Sequence, residues 1–271
     1  MRFVRFKKDT DIAYGIVEED HVREIKGDIF STYELLNTTL PLSAIKILPP
    51  CTPSKIIAVG LNYRSHAEEL NMKIPEDPLI FMKPSTAVVG HEDAIIYPKM
   101  SCRVDYEGEL AVIIGKPCRN VFMKDAPRYI CGYTCINDVT ARDLQKKDGQ
   151  FTRSKSFDTF APIGPFIETD LDPQKISIET FLNGEKKQSG STSDFIFPVY
   201  HLVAFISEVM TLHPGDIIST GTPAGIGPMQ VGDVVEIKVE GIGILRNTIA
   251  RMATQNPPVA RRWPPGNMRK G

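Results

Sequence analysis

From KIIAVG (55–60) onward the chain is a succession of short apolar runs, each closed by Gly, Asp, Asn or Pro. LIFMK, AVVGHEDAIIYP, DYEGELAVIIG, ICGYTCIND, FAPIGPFIET, ISIETFLNGEKKQSG, GDIISTG and GDVVEIKVEGIGIL succeed one another at a spacing of roughly ten residues. A chain punctuated this often has no room for a helical bundle, and the spacing signals a β-barrel or sandwich. LNGEKKQ reads as a hairpin tip, because Asn-Gly accepts the left-handed backbone of a tight turn. Two helical stretches interrupt the strands, 122–129 and 198–211, the second (PVYHLVAFISEVMT) with apolar residues at helical spacing. The expected fold is mainly β with short helices and no internal repeat.

Before this region lies a small β-rich module at 1–50, with the runs MRFVRF, IAYGIV and HVREIKG and a short helical patch near YELLNTTL. PPCTP (49–53) is a natural boundary, since proline fixes φ and lacks a donor. The catalytic region is expected at 51–252. The tail at 253–271 has two Pro-Pro pairs and basic residues without an acid, and reads as extended, poorly ordered chain rather than as a basic docking tail or as a dimer anchor through Trp263.

Formal net charge is −1, and no basic stripe interleaved with aromatics occurs, so neither nucleic acid nor a membrane surface is an expected partner. MRFVRFKKDT is too charged for a signal peptide, and no apolar run reaches the ~20 residues of a membrane span. A cytosolic protein is expected. The five cysteines are odd in number and none has Cys-x-x-Cys spacing; Cys131 and Cys135, four apart in an apolar stretch, read as buried free thiols rather than metal ligands.

The chemistry concentrates in VDYEGELAVIIG. Glu107 and Glu109 are two apart in a strand pattern, so both carboxylates point to one face, in phase with Asp105 and opposite Leu110, Val112 and Ile114. Side-by-side carboxylates repel unless one is protonated or a cation sits between them. Taken alone the pair is weak, and two solvent-facing acids explain it. Asp138, at the end of YICGYTCIND and before the helix-like TARDLQ, would complete a three-carboxylate site, although Asp is also a good helix N-cap. Oxygen-only ligands suit Mg²⁺, Mn²⁺ or Ca²⁺. His66 and Glu69 face each other at i and i+3 on a short helix over HAEELNMK, where the carboxylate can orient the imidazole as a base; a surface histidine with a salt partner is the plain alternative. Ser65 with Glu68 three residues on fits a capping box. Lys83, Arg142, Gln145 and Lys155 are polar groups in apolar or turn context that together suit an anionic substrate. STGTPAGIGP (219–228) lacks the Gly-Lys-Ser/Thr of a phosphate loop, but offers backbone N–H groups and Thr222 to a carboxylate.

GLNYRSHAEEL, FMKPSTAVVG, VDYEGELAVIIG, YTCINDVTARDLQ, KSFDTFAPIGP and ISTGTPAGIGP, in this order, resemble the successive signature blocks of the fumarylacetoacetate hydrolase family over about residues 52–250. The resemblance is to its shorter, mostly bacterial branch, because the additional acidic metal ligand of the longer hydrolases has no clear match. It implies a mixed, rolled β-sheet barrel with a metal site at its mouth, usually in a homodimer. It implies Glu107, Glu109 and Asp138 as ligands of Mg²⁺ or Mn²⁺, with Ca²⁺ as a further fit. It also implies His66 and Glu69 as the catalytic pair, Lys155 as a catalytic lysine, and Lys83, Arg142, Gln145 and Thr222 as contacts to a small 2-oxo acid. The leading expectation is metal-dependent hydrolysis of a C–C bond in acylpyruvate-type acids, with His66 activating water. Decarboxylation of oxaloacetate-like acids and isomerisation of 2-hydroxy-dienedioates need the same electron sink and are the alternatives. A catalytically silent metal- or oxo-acid-binding protein is the reading from another class, disfavoured by the presence of every one of these residues.

Overall fold

The computed structural model describes residues 1–251. The tail at 253–271, with Trp263, lies outside them. The architecture is mainly β with short helices, as the run spacing implies. The largest sheet is mixed and twelve-stranded. Its centre is Gly108–Ile114, antiparallel to Ile130–Asn137 on one side and to Ile217–Ser219 on the other. Ile217–Ser219 then runs parallel to Ile56–Val59, which pairs with Ile80–Lys83. A five-stranded sheet built from Glu185–Ser191, Ser177–Leu182, Val234–Val239, Gly243–Arg251 and Ala94–Tyr97 packs against it.

Gly108–Ile114 is buried along its whole length. Leu110, Val112 and Ile114 enter one apolar cluster with Ile178, Ile237 and Leu245, while Ala111 and Ile113 enter another with Ile56, Ile163 and Ile217. A strand sandwiched on both faces must be a continuous apolar run rather than an alternating one, and GELAVII is such a run. The N-terminal strands Arg2–Lys8, Asp11–Glu18, His21–Gly27 and Tyr33–Pro41 form an antiparallel meander. It joins the large sheet where Arg2 and Phe3 pair with Glu168 and Ile167.

The hairpin tip at LNGEKKQ is present: Asn183 (φ 53°) and Gly184 (φ 80°) link two paired strands, as a two-residue turn with both φ positive requires. Four α-helices occur among the described residues: α1 (Arg64–Glu69), α2 (Arg142–Asp148), α3 (Thr152–Lys155) and α4 (Val199–Val209). The stretch expected as helical at 122–129 is a 3₁₀ helix, Met123–Tyr129, with Pro127 inside it. In α4, Val199, Leu202, Val203 and Ile206 are buried in the core, so the core accounts for this helix's apolar spacing. None of the helices is long and apolar enough to cross a membrane.

Three local expectations are corrected. YELLNTTL is a strand, not a helical patch, because His21–Gly27 offers it a pairing edge that overrides weak local preference. Ser65 does not cap α1: Tyr63 occupies the N-cap without a side-chain bond, and Ser65 lies inside the helix bonded to Asp194. The helix also stops at Glu69 and does not extend through LNMK. The five cysteines are free, with Cys135 buried, Cys131 half-buried and Cys102 exposed.

Gly108 shows how tightly the central strand is seated. A Cβ there would lie 2.2 Å from Thr180 Oγ1 and 3.0 Å from Ile237 Cδ1. Its N–H donates to Gln188 Oε1 at 3.0 Å, and its carbonyl accepts from Thr222 Oγ1 at 2.9 Å. We predict that Gly108→Ala lowers the unfolding free energy by about 1–3 kcal/mol, the usual result of overpacking. Urea denaturation checks this through a lowered midpoint at unchanged slope. An unmoved midpoint would mean that Thr180 and Gln188 yield freely.

Candidate active site

Strand register assembles the acids. Gly108 pairs with Asn137 and Glu109 with Ile136, and the Asp138 amide donates to the Glu107 carbonyl at 2.9 Å. Asn137 Oδ1 accepts from the Glu107 amide at 2.9 Å, fixing the bend between Val104–Tyr106 and Gly108–Ile114. Carboxylate oxygens of Glu107, Glu109 and Asp138 come within 4.8 Å of one another, and all three residues are buried.

Three buried carboxylates require compensation. Glu107 accepts from Lys155 Nζ at 2.7 Å and from Arg142. Asp138 accepts from Lys155 Nζ at 2.6 Å and from Lys83. Among the described residues Glu109 has no cation partner, and its donors are Ser219 Oγ and, at 2.8 Å, the Gly221 N–H. Burial, then the charges of Asp138 and Glu107, push its carboxyl up to about 8. Burial also acts on Glu107, but Lys155 and Arg142 outweigh it and hold that carboxyl well below the usual range. A buried carboxylate without a cation, beside two others, is where a divalent ion fits. The all-oxygen donor set suits Mg²⁺, Mn²⁺ or Ca²⁺.

The cations come from separate elements. Lys83, fully buried at a strand end, also donates to the Val139 carbonyl at 3.1 Å, and burial pulls its ammonium pKa down. Lys155 closes α3 with its ammonium 5.2 Å from the Phe81 ring centroid. Burial lowers its pKa, but Asp138 and Glu107 reverse the sign and raise it. Arg142 opens α2 and is fully engaged: Nε donates to Asp105 at 2.9 Å, Nη1 to Gln145 Oε1 at 2.7 Å, and Nη2 to Glu107. Gly149 (φ 64°) ends α2 with the left-handed residue that a helix C-terminus favours.

The base pair sits on α1. His66 Nδ1 and Glu69 Oε2 are 2.7 Å apart, and the Gly225 N–H donates to Glu69 Oε1 at 2.9 Å. An ionised carboxylate only accepts, so Nδ1 carries the proton and Nε2 is left as a base. With no cap of its own, α1 is anchored from afar. Asp194 accepts from the Ser65 amide at 3.0 Å and from its hydroxyl at 2.6 Å, while Arg64 donates to the Phe195 carbonyl. Just upstream, Asn62 donates to the Thr220 carbonyl at 2.7 Å and accepts from the Phe197 amide at 2.8 Å. Sequence reasoning missed Asn62, Asp194 and Ser219; Asn62 and Ser219 carried a signal by standing inside GLNYRSHAEEL and ISTGTPAGIGP, and Asp194 carried none.

A cavity of about 260 Å³ brings His66, Glu107, Arg142, Gln145 and Lys155 to one surface. Glu109 and Asp138 complete the acid cluster behind Glu107. Lys83 and Thr222 are not on the wall. Lys83 stands behind Asp138, and the Thr222 hydroxyl is committed to the Gly108 carbonyl and, at 2.8 Å, to Gln188 Nε2. Four larger hollows among the described residues, of about 650, 600, 380 and 270 Å³, are lined elsewhere and contain no histidine. The acid cluster and the base therefore single out the cavity that His66 lines.

Fold and site together define a mixed-sheet enzyme with a buried carboxylate centre. Residues 55–250 match the family described as fumarylacetoacetate (FAA) hydrolase C-terminal, and residues 1–50 match Rv2993c-like, N-terminal. The chain belongs to the fumarylacetoacetate hydrolase family. It is 43% identical over 231 residues to an oxaloacetate tautomerase of Bacillus subtilis, spanning 80% of this chain and 77% of that protein. A 2-hydroxyhepta-2,4-diene-1,7-dioate isomerase from Mycobacterium marinum superposes with a TM-score of 0.88 at 43% identity, over 94% of this chain and all of that one. The maleylpyruvate hydrolase of Sphingobium, solved with manganese(II) and pyruvate, superposes at 0.78 with 29% identity, over 93% of this chain and 99% of that one.

Glu109 makes a testable linkage. Its carboxyl titrates at about 8 in the folded, metal-free chain against an ordinary 4.5. The folded state therefore holds this proton more tightly, and the stability it contributes is complete below 4.5 and lost as pH rises through about 8. We predict that the melting temperature of chelator-treated protein falls across this window and that Glu109→Gln flattens the fall. An equally steep decline in the variant would show that another group titrates.

Proposed function

We propose that the protein is a divalent-metal-dependent enzyme that interconverts the keto and enol forms of small 2-oxo acids by proton transfer at the carbon next to the 2-oxo group. One observation carries the reading: the His66–Glu69 pair opens on the same cavity as Lys155 and Glu107, directly in front of the three-acid cluster. Isomerisation stands ahead of the hydrolysis expected from sequence because these tautomerase and isomerase relatives are 43% identical, against 29% for the maleylpyruvate hydrolase and 35% for a fumarylacetoacetate hydrolase of Exiguobacterium antarcticum.

Glu107, Glu109 and Asp138 would hold the divalent ion, which when bound would supply Lewis acidity toward the oxygens of a 2-oxo acid. His66 Nε2 takes the proton from C3, and the electron pair moves into the C2–C3 bond as charge shifts to the 2-oxo oxygen. Glu69, fixed by the Gly225 N–H, stabilises the imidazolium that results. Two of the three Lys155 N–H bonds are spent on Glu107 and Asp138, which leaves one to donate to the charged oxygen. Gln145, with Oε1 held by Arg142, keeps its Nε2 donors for the substrate. The enol is completed when the proton held on Nε2 is delivered to the 2-oxo oxygen, directly or through a water, which restores the base; in the reverse direction the enol hydroxyl proton passes to Nε2 and from there to C3.

C–C hydrolysis of acylpyruvates is the second reading. It uses the same base to deprotonate water and is favoured by the Sphingobium neighbour with pyruvate bound. Decarboxylation needs no base. A homodimer in the cytosol is part of the proposal and rests on the family; sedimentation as a monomer at micromolar concentration would count against an interface of ~1,000 Å² or more.

With saturating Mn²⁺, His66→Ala is expected to slow tautomerisation of enol-oxaloacetate by ~10²–10⁴-fold. Metal-assisted decarboxylation should persist in that variant, and Asp138→Ala should remove both. Decay of the enol absorbance and release of CO₂ read the two reactions separately. Tautomerisation at the wild-type rate in His66→Ala would remove His66 from the mechanism.

A further inference from the structure

The cavity has two chemically different ends. Its inner end holds His66, Glu107 and Lys155, each no more than 6% exposed. Arg142 and Gln145 join that end through Glu107, and beyond them and Gly60 the wall is apolar: Leu61, Leu70, Met72, Leu79, Phe81 and Phe151. Leu70, Met72 and Leu79 are 43–53% exposed and form the outer rim. Phe81 and Phe151 meet edge to face at 5.1 Å, and the Lys155 ammonium lies over Phe81, so the aromatic pair marks the passage from the charged end to the apolar one. Scattered exposed leucines carry no message, but these converge on one cavity that is continuous with the candidate site.

Among the described residues, the outer wall carries no positive charge. The cavity's two cations, Arg142 and Lys155, stand beside Glu107 at the inner end. There Arg142 holds Asp105, Glu107 and Gln145, and Lys155 holds Glu107 and Asp138 with one N–H left for the 2-oxo acid. A second carboxylate carried outward on a substrate's tail would lose water among leucine, methionine and phenylalanine and gain no partner.

Building on the 2-oxo-acid reading of the inner end, we propose that the outer half of the cavity is a subsite for an uncharged, apolar substituent beyond C3. The chain then selects 2-oxo acids with short alkyl or aryl tails over dicarboxylates of equal length. At about 260 Å³ the cavity limits that tail to a few carbons or one ring. Selection of this kind acts beyond the reacting carbons and leaves the proton-transfer step unchanged.

Isothermal titration of the Mn²⁺-loaded protein with pyruvate, 2-oxooctanoate and 2-oxooctanedioate tests it without any need for turnover. Pyruvate reports the inner end alone, and the other two differ only at the terminal group. 2-Oxooctanoate is expected to bind at least about tenfold more tightly than either, the effect of burying roughly two methylene groups, with a negative heat-capacity change. Leu79→Lys is expected to raise the affinity for 2-oxooctanedioate and to lower that for 2-oxooctanoate, while pyruvate binding stays constant. Pyruvate binding with equal affinities for the two long acids overturns the subsite and leaves the 2-oxo-acid reading intact. Tighter binding of the dioate also overturns it, as does a Leu79→Lys variant with an unaltered ratio. Failure of all three to bind overturns the 2-oxo-acid reading and the subsite with it.

Discussion

The bridge that Lys155 makes between Glu107 and Asp138 is the contact around which the rest is arranged. Its two bonds, of 2.7 and 2.6 Å, lie where water is excluded, so neither carboxylate could remain ionised at low cost without them. Three other charges depend on it. Arg142 takes the second oxygen of Glu107, and Lys83 takes the second oxygen of Asp138. Glu109 is left over, with its carboxyl raised into the neutral range. Three cations face three carboxylates, but all three cations bond to Glu107 and Asp138, and that uneven sharing, with Glu109 left to Ser219 and Gly221, is what turns a buried ionic network into a candidate metal centre.

Such a network demands close backbone placement, and the sheet provides it. Gly108 lets Thr180 and Gln188 approach the strand so closely that no side chain fits, and Gln188 in turn holds Thr222 and the Pro223 carbonyl. This ties the turn after Ile217–Ser219 to the strand that carries Glu109. The same turn supplies the Ser219 hydroxyl and the Gly221 N–H to Glu109, so the backbone brace and the electrostatic site are continuous.

Much of this was legible in the sequence, for identifiable reasons. The spacing of apolar runs was set by strand length and turn chemistry, both local, and Asn183-Gly184 formed the turn its residue types favour. Glu107, Glu109 and Asp138 could be proposed together because each adjoins a strand run, and the structure does bring their carboxylates together. What stayed hidden was decided by distant partners. YELLNTTL became a strand because another strand presented an edge to it. Ser65 abandoned the capping box because Asp194, 129 residues away, offered a better acceptor. Thr222 looked available to a substrate until Gln188 and Gly108 claimed its hydroxyl. Polar side chains are assigned by whichever group reaches them in three dimensions, and sequence spacing is silent on that.

The two halves of the site are held by unlike forces. The acids and Lys83 lie in or beside strands and Lys155 ends α3, all with side chains almost wholly buried. The base rides on a six-residue helix that is too short to persist alone, with Glu69 exposed along one side. Asp194, Phe195 and Gly225 fasten that helix through a handful of polar bonds at its two ends. Elements attached in this way open at lower free energy than the core around them. The exposed Leu70 and Met72 come immediately after the helix, so part of the apolar rim adjoins the element that carries the base. A tail that packs against that rim would also brace the helix that holds His66, so that recognition beyond the reacting carbons supports placement of the base.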